Sequence, residues 1–175
     1  MQLSTALPVA LQLLLAATFF VIPVVAWFRG GAAQRAAEAE LARQGQGADV
    51  LARHGIAFKE KVWEFAVALG IGVTMTVLGA LNLAGSDLGR TLSFVVEPLV
   101  LLVVGFITAG QVFAVRYTEA AFARSEDAAV RALDAKAVIA AAKTALPTWM
   151  RPVVLTRFAL ATLGSALVLV TLALT

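Results

Sequence analysis

Four apolar runs, each close to the thickness of a bilayer, constrain this chain more than any other feature. They cover residues 6–28, 62–83, 92–115 and 153–174. An α-helix needs about 20 residues to cross a hydrocarbon core of about 30 Å. In lipid, only a helix or a closed barrel can hide its backbone polar groups. The runs are continuous, without the alternating segments of about ten residues that mark a barrel. The expected fold class is therefore all-α: a polytopic membrane protein treated as one membrane domain over 1–175, with four transmembrane helices. Two charged stretches, 29–61 and 116–152, read as helical cytoplasmic arms, and 84–91 as a short outer turn.

Composition supports this reading. The chain is 61% hydrophobic and 14% charged, whereas a soluble domain is about half apolar and about a quarter charged. The first run reads as a retained span rather than a signal peptide. MQLSTALP supplies no basic n-region, and the run exceeds the ~7–15 residues of a signal core.

Charge sets the expected orientation. Of fourteen Lys and Arg, six lie in each long loop. Alternating helices put both loops on one side, and the positive-inside rule makes that side the cytoplasm, with both termini outside. Trp27, Trp63, Trp149 and Tyr117 mark the same interface, where amphipathic rings prefer to sit. Each arm balances its six cations with four acids. That gives weak attraction to anionic lipid and no nucleic-acid footprint.

The first arm, GGAAQRAAEAELARQ, is rich in good helix formers. Gly45-Gln46-Gly47 should end it, and a short helix resumes at 48–53 before a His54-Gly55 turn. The second arm has no Gly or Pro from Val115 to Leu146. It reads either as a continuation of helix three or as a restart at Ser125-Glu126-Asp127, with Asp127 and Arg131 spaced as an i,i+4 pair. Phe122, Ala129, Leu133, Ala137 and Ala140 form a stripe that would pack on the first arm or on a partner. The two helix-arm-helix halves also read as a possible parallel duplication.

The third run holds one acid, Glu97, followed by Pro98. Intramembrane ionisable residues are costly and mark sites by default. Read as shallow, Glu97 either snorkels outward to pair with Arg90 or forms an ion or proton site with Gln12 and Asn82. With Thr108 and Gln111 it also suggests a polar line along helix three. Glu64 and Arg157, each one turn inside the opposite surface, are candidates for an ion pair across helices two and four. Ala66, Gly70, Gly72, Thr76, Gly105 and Ala109 form helix-packing ridges that serve the monomer or an interface with another chain.

No catalytic, cofactor-binding or metal residues are assigned. There is no cysteine, and His54 is the only histidine. Thiol chemistry, Cys-bound clusters and an intrachain bis-histidine haem are thereby excluded. No phosphate-binding glycine motif occurs. The expected function is a non-enzymatic accessory, scaffolding or assembly subunit. It would lie in a bacterial inner membrane, contacting lipid, another membrane protein or a second copy, and a cytoplasmic partner. The alternative is a small oligomeric channel, transporter or holin-like pore that uses the intramembrane Glu97.

Overall fold

The computed structural model describes residues 3–174 and is helical, with no strand among them. Met1, Gln2 and Thr175, assigned to the outer ends from sequence, lie outside the described residues. The helices are α1 (Leu3–Arg43), α2 (Asp49–Arg53), α3 (Val62–Leu83) and α4 (Asp87–Leu99), then a π-helical turn (Val100–Val104) leading into α5 (Gly105–Val112). They continue with α6 (Ala114–Ala123), α7 (Ala128–Arg131), α8 (Ala135–Thr144) and α9 (Met150–Ala159), then a second π-helical turn (Leu160–Gly164) and α10 (Ser165–Ala173). Four helical segments are long and apolar enough to span a membrane: Ala6–Arg43, Val62–Leu83, Asp87–Val112 and Met150–Ala173.

The sequence read as a single membrane domain, but the backbone divides into two compact units. One comprises the stretch ending at Ile22, Ala66–Val112 and the stretch from Arg151; the other comprises Pro23–Phe65 and Phe113–Met150. The first, the spanning unit, packs Leu15, Ala16, Phe19, Met75, Leu78, Val100, Val104 and Ala161 into one core. Its outward residues are also apolar. Phe106, for example, is 74% exposed, which suits lipid rather than water.

Small residues set the approach of α3 to α1. A Cβ on Gly72 would lie 3.1 Å from the Phe20 ring, and one on Gly79 would lie 2.9 Å from Leu13 Cδ2. Gly79 completes a buried face with Gly72, Met75, Leu78 and Asn82. The expected ridge is therefore only partly used: Ala66, Gly70 and Thr76 face outward and Ala109 is half-buried. Gly105 is buried, its Cβ position 3.1 Å from Thr162 Cγ2.

The third span starts earlier than the sequence reading placed it. Gly85, at φ +69°, closes α3 with a Schellman motif, in which Ser86 N donates to Leu81 O at 3.0 Å and Gly85 N to Asn82 O at 3.1 Å. Helix α4 then begins at Asp87, inside the stretch 84–91 expected to be a turn. Gly89 looks like a helix breaker in sequence. In the structure it lets the two helices touch: a Cβ there would meet Leu81 Cβ at 2.7 Å and Asn82 N at 3.0 Å.

The second unit has its own core. Ala33, Ala37 and Leu41 of α1 meet Val50 and Leu51 of α2, Phe122 of α6, Val130 of α7, and Ala135, Val138 and Ala142 of α8. Helix α1 continues through Gly30 and Gly31 and ends at a second Schellman motif, with Gly45 at φ +81° and Gln46 N donating to Leu41 O at 2.9 Å. This is the break expected at Gly45-Gln46-Gly47. Gln44 ties α1 to the start of α8, accepting from Asp134 N at 2.8 Å.

Of the two readings for the second arm, the structure takes the restart. Helix α6 ends at Ala123, and Asp127 caps α7 by accepting from Ala129 N at 2.8 Å. Asp127 is thus committed to backbone, while Arg131 donates to the Ser125 and Glu126 carbonyls, each at 2.8 Å. The expected stripe is rotated: Ala129 and Ala140 are exposed, and Val130, Val138 and Ala142 are buried instead. The restarts at Asp127 and Asp134 reset the helical phase on which the stripe depended. Asp134 caps α8, accepting from Ala137 N at 2.9 Å. Asp127→Ala and Asp134→Ala should each cost about 1 kcal/mol, read as faster amide hydrogen exchange in the first turns of α7 and α8.

Candidate functional site

Polar residues are rare in the spanning segments, and four of them meet inside the spanning unit. Gln12 comes from α1, Asn82 from α3, and Ser93 and Glu97 from α4, one turn apart on one face. All four are at most 4% exposed. Gln12 is the hub. Its Nε2 donates to Glu97 Oε1 at 2.9 Å and to Ser93 Oγ at 3.2 Å, and its Oε1 accepts from Asn82 Nδ2 at 2.9 Å. Asn82 Nδ2 also donates to Ser93 Oγ at 2.9 Å, and Ser93 Oγ donates to the Gly89 carbonyl at 2.8 Å. The close approach at Gly89 brings Asn82 and Ser93 within reach of each other.

A fifth residue joins from α10. Ser165 is 1% exposed, and its hydroxyl faces the Glu97 carboxyl. Glu97 Oε2 and Ser165 Oγ are both buried without a formed hydrogen bond. The cluster therefore draws on all four spanning segments. It is fully hydrogen-bonded on the Gln12 side and open between Glu97 and Ser165.

Two π-helical turns adjoin the open side. Val100–Val104 begins three residues after Glu97, and Leu160–Gly164 ends immediately before Ser165. The two turns pack against each other. Single π turns within α-helices are uncommon and recur at functional sites.

The remaining candidates separate from this cluster. The sequence reading left Arg90 as a partner for Glu97, but Arg90 is half-exposed and no ion pair joins the two among the described residues. Glu97 does not turn outward to snorkel; it is 1% exposed and bonded to Gln12. The polar line along helix three is also divided. Thr108 donates to its own backbone, at 2.8 Å to Val104 O, and Gln111 accepts from Arg157 Nη2. A spacing that shares one side of an ideal α-helix loses that alignment across the π turn at Val100–Val104.

Arg157 is 4% exposed and lies 5.2 Å over the Phe19 ring, a cation–π geometry within the ~6 Å range of that interaction. Glu64, offered as its ion-pair partner, accepts from the Lys61 backbone N–H at 2.9 Å.

Gln12, Asn82 and Glu97 were thus legible as site candidates, whereas Ser93 and Ser165 were missed. Ser93 carried a signal, since it precedes Glu97 by one helical turn. Ser165 carries no such signal, since a serine in an apolar helix is equally a small packing residue. The chain was compared with protein-family models, curated proteins and solved structures, and none matches.

Proposed function

We propose that the protein is a non-enzymatic accessory, scaffolding or assembly subunit of a bacterial inner membrane. The spanning unit serves as anchor, and the second helical unit faces the cytoplasm and docks a partner. One observation carries this reading: Pro23–Phe65 and Phe113–Met150 form a compact unit around a buried core of their own. Loops that merely connected spans would need no such core. Their charge excess supports the cytoplasmic side through the positive-inside rule. The outward ridge of Ala66 and Gly70 supports contact with a neighbouring membrane helix, since small residues let helix backbones approach closely. In mild detergent, the full chain should leave native membranes as part of a larger assembly or as an oligomer. A lone monomer with no co-purifying protein would refute the proposal.

The second reading, a small oligomeric channel, transporter or holin-like pore, is favoured by the burial of Glu97 at the junction of all four spanning segments. It requires ion or proton flux in proteoliposomes above that of empty vesicles, altered by Glu97→Gln. Flux equal to that of empty vesicles removes it.

A further inference from the structure

We propose that Glu97 Oε2 and the Ser165 hydroxyl form a site for one exchangeable proton within the spanning unit. The inference stands apart from the scaffold reading and does not require that the protein conduct anything.

Glu97 Oε1 is satisfied by Gln12 Nε2 at 2.9 Å. The Ser165 side chain lies at the same carboxyl, and Oε2 and Ser165 Oγ are both buried and both without a formed bond. An ionised carboxylate only accepts; a neutral carboxyl has one O–H to donate; a hydroxyl does both. The pair can therefore be satisfied in either protonation state. With the proton on Oε2, the carboxyl donates to Ser165 Oγ. After release, the Ser165 hydroxyl rotates and donates to Oε2. Uptake forms one O–H bond with a proton from solution, release breaks it, and no electrons are transferred.

The surroundings favour a proton over a metal ion. The side chains at the Glu97 carboxyl, Gln12 from α1 and Ser165 from α10, are neutral, and so are Asn82 from α3 and Ser93 on its own helix, which bond to Gln12. The charged residues near the start of its helix are Asp87, which is exposed, and Arg90, which is half-exposed. A buried carboxylate without a cation carries a desolvation penalty of several kcal/mol, which a proton removes. Hard metal cations require six or more oxygen ligands. Among the described residues, Glu97 Oε2 and Ser165 Oγ are the buried oxygens of this cluster without a hydrogen bond, while the Gln12 and Ser93 oxygens already accept hydrogen bonds.

Infrared difference spectroscopy of the full chain in lipid tests the site directly. The chain has eleven Asp and Glu, so the Glu97 signal is identified by subtracting the spectrum of Glu97→Gln, which keeps the side-chain shape. The expected result is a protonated-carboxyl C=O band that titrates as a single proton, is missing from Glu97→Gln, and is unchanged by sodium at fixed pH. Ser165→Ala should move its midpoint by roughly one pH unit, the scale of one hydrogen bond to a charged group. A measurement on the unaltered chain accompanies it. A hydrophobic carbodiimide, which reacts with protonated carboxyls, should modify Glu97, as located by mass spectrometry, and less so as pH rises. The proposal is overturned if no titrating band is lost in Glu97→Gln, if Glu97 stays unmodified at every pH, or if sodium displaces the band.

Discussion

Replacing Phe122 by Ala should destabilise the second unit by about 3–5 kcal/mol, the usual cost of removing a buried aromatic ring. Phe122 is 2% exposed and lies in a core drawn from α1, α2, α6, α7 and α8. It also meets the His54 ring edge-on, with centroids 5.7 Å apart. Few side chains in this unit match its size, since much of the core is Ala and Val. The short Ala and Val side chains of this core have little reach into the space a ring leaves, so relaxation recovers only part of the loss. The measurement is amide hydrogen exchange at Asp49–Arg53 and Ala135–Thr144, which should lose protection together. Exchange unchanged in both helices would mean that the unit is not held by this core. Phe122→Leu, which keeps most of the volume, should lose much less.

Gln12→Leu should cost roughly 2–4 kcal/mol. The residue makes three side-chain hydrogen bonds, and in membranes each such bond averages about 0.6 and reaches about 1.7 kcal/mol. The substitution also leaves Glu97 Oε1 without a donor, in a site already open at Oε2. Breaking one partner of a buried polar pair costs more than removing both. Gln12→Leu combined with Glu97→Leu should therefore be less destabilised than Gln12→Leu alone. Reversible unfolding in mixed micelles measures both. A double variant whose loss equals the sum of the two single losses would show that the network contributes no coupling.

The spans were legible because lipid imposes a length and a composition that few other environments require. Val62–Leu83 has the same limits in sequence and structure. The start of the third span was not legible, for a reason local to Gly89. Glycine is a poor helix former, and nothing in the sequence tells that it lies against Leu81 and Asn82. Measured from Asp87, Glu97 lies about 15 Å along its helix at 1.5 Å per residue. The Gln12–Asn82–Glu97 association was within reach of sequence reasoning because polar groups in lipid must find one another. The π-helical turns were not. Pro98 precedes the first of them, but residues 160–164 contain nothing that distinguishes them from ordinary helix.

Those two turns give the protein an unusual tolerance to change in length. In an α-helical span, deleting one residue rotates everything beyond it by about 100° and turns packed side chains toward lipid. A π-helical turn already holds one residue more than the α-helical turn it replaces. A single deletion within 100–104 or 160–164 lets that turn close as α-helix, and the segments on either side keep the faces they present. The third and fourth spans thus each contain one short window in which the genetic accident most damaging to a membrane helix is absorbed by the backbone.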